Sequence, residues 1–176
     1  PEDIELRSAL STAYFNSENY DEALTHALCV IELDEKDPQA YCNLGSCYSA
    51  QNMTDEAVEA FKKATEIDPD YSLPHTNLGS LYATIGRIEK AIKEFKLATS
   101  MNQSDSLAWM NLYSCYKEVG RMEDAQEAYK KYESLMNQGS QADNQTNIPG
   151  GVSSTGQLAS GGDLDTASPG MEEIPS

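Results

Sequence analysis

One eight-residue pattern recurs in this chain at a fixed step. YCNLGSCY spans Tyr41 to Tyr48, HTNLGSLY spans His75 to Tyr82 and WMNLYSCY spans Trp109 to Tyr116, so successive copies lie 34 residues apart. A fixed period of this length constrains the fold more than composition does. Each copy must be one supersecondary unit, and no unit can bury its apolar stripe except against its neighbours. Cut at that period, the chain divides without insertion or deletion into units 4–37, 38–71, 72–105 and 106–139.

Several positions agree across the units. Counted from the first residue of each unit, position 7 is Leu10, Leu44, Leu78 and Leu112, and position 11 is Tyr14, Tyr48, Tyr82 and Tyr116. Position 20 is Ala23, Ala57, Ala91 and Ala125; position 24 is Ala27, Phe61, Phe95 and Tyr129. Position 8 is small in three units, Ser11, Gly45 and Gly79, and is Tyr113 in the fourth. A small residue at position 8 facing the alanine at 20 lets two antiparallel helices approach closely. The large residues at 7, 11 and 24 then fill the gap between units. Glu18, Asn52, Gly86 and Gly120 share one place in the turn between the helices, where positive φ is expected. Asp21–Glu22, Asp55–Glu56 and Glu123–Asp124 open the second helices, where negative charge suits the helix dipole.

This pattern resembles the tetratricopeptide repeat, a helix–turn–helix unit of the same length. The resemblance implies an all-α protein, a right-handed α-solenoid of four such units. It covers about three quarters of the chain. The fourth unit is atypical, as terminal units are: Tyr113 stands where a glycine is expected, and Tyr132 replaces the small residue at position 27. Tyr132 has no following helix to clash with. Tyr113 must either splay the last helix pair or turn its ring into a gap at the end of the stack. The stripe Tyr129, Tyr132, Leu135 and Met136 is left for a partner, a second copy or the folded-back tail to cover, making it a candidate assembly surface and the chain a candidate homo-oligomer. From residue 140 to 176 there is no aromatic and no basic residue, and Gly, Ser, Thr, Asp, Asn and Pro dominate. That composition reads as a disordered acidic tail.

Charge and motifs exclude whole classes of function. Acidic residues number 29 against 12 basic ones, for a net charge of −17. That charge argues against nucleic acid or anionic lipid as the main partner, since those require a positive face. No run of 18 apolar residues spans a membrane. The chain opens at Pro1 instead of Met and reads as part of a longer or processed protein. Cys29, Cys42, Cys47 and Cys115 show no zinc-type pairing and read as small apolar residues in a reducing, cytoplasmic setting. His26 lies one turn before Cys29, but two ligands do not make a metal site. With no phosphate loop and no nucleophile elbow, no enzyme chemistry, cofactor or metal is expected.

The resemblance places the functional face on the first helices, whose positions 2, 5, 6, 9, 12 and 13 line the concave groove. Position 6 reads Ala9, Asn43, Asn77, Asn111; position 9 reads Thr12, Ser46, Ser80, Ser114. Leu73 and Leu107 at position 2 and Met110 at position 5 make the later units more apolar. Asn43, Asn77 and Asn111 form a ladder of amides, each with donors and an acceptor for the backbone of an extended peptide. This is similar to the asparagine ladder in the repeat region of O-GlcNAc transferase. The family's carboxylate clamp, which grips the Glu-Glu-Val-Asp tail of heat-shock chaperones, needs Lys and Arg where this chain has Leu73, Asn77, Leu107 and Asn111, with Ser8 or Cys42 at position 5. Chaperone tails are therefore not the expected ligand, and only Asn43 matches the clamp. The expected function is non-catalytic binding of a protein or peptide as a scaffold or adaptor. Assembly through the terminal helix, or targeting of a larger enzyme, is the alternative.

Overall fold

In a computed structural model, which describes residues 3–145, the chain forms eight helices in sequence: α1 (Ile4–Asn16), α2 (Tyr20–Leu33), α3 (Pro38–Ala50), α4 (Thr54–Ile67), α5 (Ser72–Thr84), α6 (Ile88–Met101), α7 (Ser106–Glu118) and α8 (Met122–Gln145). No strand occurs among the described residues. Each odd-numbered helix packs on the even-numbered helix that follows it, and each even-numbered helix packs on the next odd one. The product is an all-α solenoid. No helix in it is long and apolar enough to cross a membrane.

Local chemistry sets both ends of the first helices. Asp3, Asp37 and Asp105 are N-caps whose carboxylates accept from the backbone N–H of Leu6, of Gln39 and Ala40, and of Ala108. Each satisfies an amide that would otherwise lack a partner. At the other end, Glu18, Asn52, Gly86 and Gly120 take φ of 63°, 62°, 73° and 76°. The next residue's N–H then donates back to the tyrosine at position 11: Asn19 to Tyr14 (2.9 Å), Met53 to Tyr48 (2.9 Å), Arg87 to Tyr82 (2.8 Å) and Arg121 to Tyr116 (2.8 Å). This is a Schellman closure repeated four times, and it makes the reversal between helices the same in every unit.

The small residue at position 8 also meets the aromatic of position 24, beyond the expected contact with position 20. A Cβ placed on Gly45 would lie 2.7 Å from the Phe61 ring, and one on Gly79 would lie 2.7 Å from Phe95. The glycines thus seat the aromatic of position 24, which is 1% exposed at Phe61 and 0% at Phe95. Burying a ring of that size contributes ~1.5–3 kcal/mol. In the first unit Ala27 replaces the ring and Ser11 the glycine. The Ser11 hydroxyl, now beside the second helix, donates to the Ala23 carbonyl at 2.9 Å. In the fourth unit both partners are tyrosine. Tyr113 turns its ring alongside Tyr129, with centroids 5.1 Å apart, and Tyr129 swings out to 40% exposure. Lys117 lies 5.2 Å over the Tyr113 ring. This is how the chain accommodates a bulky residue at a glycine site.

Helix α8 is 24 residues long, whereas α2, α4 and α6 have 14 each. It runs to Gln145, past residue 140 where composition begins the tail. The acidic segment 146–176 lies outside the described residues.

Candidate functional site

The inner face is built from α1, α3, α5 and α7. Its serines are held by their own helices: Ser46 Oγ donates to the Cys42 carbonyl (3.0 Å), Ser80 to Thr76 (3.0 Å) and Ser114 to Met110 (3.2 Å). With the hydroxyl proton turned inward, each oxygen keeps its lone pairs for the groove. Two of them are used across units. Asn77 Nδ2 donates to Ser46 Oγ at 3.4 Å and approaches Cys42 Sγ at 3.5 Å; Asn111 Nδ2 donates to Ser80 Oγ at 3.5 Å. Asn77 and Asn111 thus each link their unit to the one before.

Asn77, Ser46 and Ser80 line one concave cavity of about 250 Å³, together with Phe15, Thr84 and Phe61. Asn111 joins it through Ser80. Asn43 departs from the pattern: its Nδ2 is buried and has no hydrogen-bond partner. At the matching place in the first unit, the Thr12 hydroxyl donates to the Ser8 carbonyl. Leu73 (45% exposed) and Leu107 (58% exposed) stand on the surface at the starts of α5 and α7, outside this cavity. Met110 is half-buried and Ser114 exposed, and neither lines it. Phe15 and Thr84, at repeat positions 12 and 13, are cavity residues that the sequence assigned to the inner face by position only.

Position 5 couples neighbouring units from behind the groove. Thr76, 1% exposed, donates to Asp105 Oδ2 at 2.8 Å, while Asp105 Oδ1 caps α7 through the Ala108 N–H at 2.9 Å. At the preceding joint the same two places hold Cys42 and Tyr71, whose side chains are hydrogen-bonded. Burial raises the Cys42 thiol from an ordinary 9.0 to about 11, against the lowering effect of its hydrogen bonds to Tyr71 and Asn77. Burial also raises Cys47 to about 11. Both are neutral packing residues at pH 7, because a thiolate there would be desolvated. Cys115 is likewise buried and raised. His75 Nδ1 lies 2.8 Å from Glu94 Oε2, joining α5 to α6. His26 stacks on Tyr14 at 5.4 Å with the rings nearly parallel. Among the described residues no three His, Cys, Asp or Glu side chains are grouped to hold a metal.

At the end of the stack, Tyr129 and Tyr132 are more exposed than the residues at the same positions of the earlier units. Positions 24 and 27 are 0–1% exposed in the first three units, at Ala27, Val30, Phe61, Ala64, Phe95 and Ala98. In the fourth, Tyr129 is 40% exposed and Tyr132 half-buried. Leu135 is half-buried, and Met136 is 49% exposed. Tyr129 and Tyr132 lie 6.1 Å apart by ring centroid.

Comparison with known proteins agrees with this architecture. Two family models described as tetratricopeptide repeat match, one over residues 38–71 and one over 60–93. The second is shifted so that it starts within α4 and ends within α6, as expected of a continuous stack. No curated protein matches the chain in sequence. Among solved structures, the crystal structure of MamA aligns with a TM-score of 0.70 at 21% identity, covering 80% of this chain and 82% of that one. A thermophilic TPR protein of Thermus thermophilus aligns at 0.71 and 20% identity, covering 82% and 80%. The Arabidopsis OM64 TPR domain aligns at 0.63 and 18% identity, covering 66% of this chain and 97% of that domain. At these identities the likeness is one of fold, and the family matches show that residues 38–93 carry tetratricopeptide repeats.

Proposed function

We propose that this chain is a non-catalytic protein-interaction module that binds an extended, largely uncharged peptide along its concave face. The observation that carries the reading is the convergence of Asn77, Ser46 and Ser80 on one inner cavity, with Asn111 tied in through Ser80. Each of the two tied amides spends one N–H on a serine, which fixes its orientation. The second N–H of Asn111 and the carbonyl oxygens of both amides remain to pair with a peptide backbone. Such pairing gives affinity without reading sequence, as in other modes of backbone recognition. Leu73, Leu107 and Met110 would contact the peptide's side chains toward the later units. The groove carries no Lys or Arg pair for a terminal carboxylate, so an internal segment of the partner suits it better than a C-terminus.

The test is capture from native lysate by the chain and by an Asn77→Ala/Asn111→Ala variant, read by mass spectrometry. Circular dichroism first establishes that the variant is folded. Partners retained by the chain and lost by the variant support the groove. An unchanged partner set refutes it.

A second reading rests on the exposure of Tyr129, at a repeat position that the earlier units bury at Ala27, Phe61 and Phe95. Here α8 is the assembly surface, for a partner helix or a second copy. Tyr132→Lys and Leu135→Lys would then abolish the association while leaving groove capture intact. The repeats could equally direct a larger enzyme to its target through either surface.

A further inference from the structure

The outer face between α6 and α8 carries two adjoining cavities that the groove reading does not use. One, of about 420 Å³, has the rings of Trp109 and Tyr116 and the side chain of Leu112 in its wall, with Lys96 and Lys131 also lining it. The other, of about 460 Å³, is lined by Ile92 and Leu97 with Lys93, Lys96 and Arg121. Lys96 lines both. Arg121 lies 4.7 Å over the Tyr116 ring, which joins the two. At one pair of positions in the first cavity the fourth unit differs from the third. In the third unit Glu94 reaches His75 across the same two repeat positions. In the fourth, Ala128 faces Trp109 and leaves the space open. The Trp109 ring is held there by its Nε1–H, which donates to the Gln103 carbonyl at 3.0 Å.

The charge of this face sets it apart. Residues 72–105 carry Arg87, Lys90, Lys93 and Lys96 against Glu89, Glu94 and Asp105, a net of +1 in a chain of −17. Three carboxylates also line the cavities, Glu89, Asp124 and Glu127. Asp124 is occupied by Arg121 at 2.7 Å, and Glu94 by His75. Lys93, Lys96 and Lys131 outnumber the two acids that remain.

From this we infer that the two cavities are the docking site for an acidic segment of the same chain, residues 163–174, which lies outside the described residues. The segment reads DLDTASPGMEEI: four carboxylates, no base, and Leu164, Met171 and Ile174 as apolar anchors. Its reach is sufficient. From Gln145 back to Ala128 is 17 residues of α8, or ~26 Å along a helix. The residues between 145 and 163 span up to ~60 Å when extended. A tethered segment also acts at an effective concentration in the millimolar range, so weak contacts suffice to keep it docked. The carboxylates of Asp163, Asp165, Glu172 and Glu173 meet the lysines, and the apolar side chains cover Trp109 and Leu97.

Trp109 is the only tryptophan in the chain, so it reports on its own cavity. Acrylamide quenching and emission wavelength are measured on the full chain and on two variants. One is Leu164→Ala/Met171→Ala/Glu172→Lys/Glu173→Lys; the other is Lys96→Glu/Lys131→Glu, at two exposed positions. Both variants are expected to show red-shifted emission and to lose protection from acrylamide, and salt is expected to do the same to the unaltered chain. Unchanged quenching in the tail variant overturns the proposal. Loss in the tail variant without loss in the lysine variant overturns the placement. Protection that grows with protein concentration assigns the segment to a neighbouring copy and overturns the intramolecular form.

Discussion

Gly79→Ala tests the packing on which the repeat depends. In an open helix this change would stabilise by about 1 kcal/mol through helix propensity. Here the new methyl would lie 2.7 Å from Phe95 Cδ1 and Cε1 and 2.9 Å from Cζ. The ring cannot turn away, because Phe95 is 0% exposed and packed between α5, α6 and the next unit. Overpacking of this kind costs about 1–3 kcal/mol, so the clash exceeds the propensity gain and the variant should lose about 1 kcal/mol. Phe95→Leu removes the far edge of the ring. In that background the same Gly79→Ala should become neutral or stabilising, a coupling of about 1–2 kcal/mol between the two sites. Urea unfolding followed by circular dichroism reads the four corners of the cycle, with slopes compared because stacked repeats can unfold in parts. Stabilisation by Gly79→Ala alone would refute the reasoning. So would additivity within about 0.5 kcal/mol.

Other outcomes follow from the same geometry. Asp105→Ala removes the α7 cap and the acceptor of a buried hydroxyl, and should cost about 2–4 kcal/mol in thermal or urea unfolding; adding Thr76→Val should recover part of that loss. Gly86→Ala should destabilise by about 1 kcal/mol although nothing lies within 4 Å of the added carbon, because φ is +73°. Glu18→Gly, at φ 63°, should stabilise by a similar amount. Burial raises Cys42 and Cys47 from 9.0 to about 11 in the folded chain. Their contribution is therefore full below pH 9, where both states hold the proton, and is lost as pH rises toward 11, because the unfolded chain ionises first. Subtracting the pH–stability profile of Cys42→Ala/Cys47→Ala from that of the unaltered chain should isolate a decline confined to that window.

The parts of the fold legible in the sequence are those set within one unit. The αL turn was readable at Asn52, Gly86 and Gly120, because residue types that tolerate positive φ recur at one position, and Glu18 takes the same conformation at φ 63° without being such a type. The first-helix caps at Asp3, Asp37 and Asp105 came from the structure, and Tyr71 at the same place carries no side-chain cap bond. The candidate groove was legible as positions through the resemblance to the tetratricopeptide repeat, which implies the inner face. Its bonding was not. Asn77 to Ser46 and Asn111 to Ser80 each cross 31 residues, and nothing in the period says that an amide will turn toward the previous unit and not outward. The outer cavity at Trp109 was invisible too, because it depends on which side chain the helix opposite does not supply.

By itself, the sequence determined the number of units, the sense of each turn and which stripe of each helix is apolar, because these are local consequences of residue type at a fixed period. Only the tertiary structure decided that Gly45 and Gly79 seat Phe61 and Phe95, that Tyr113 and Tyr129 lie side by side with Tyr129 swung outward, and that Thr76 binds the residue capping the next unit. Those outcomes turn on the distance and rotation between neighbouring helices. Side-chain volume on both faces sets these jointly, so no single position in the repeat encodes them.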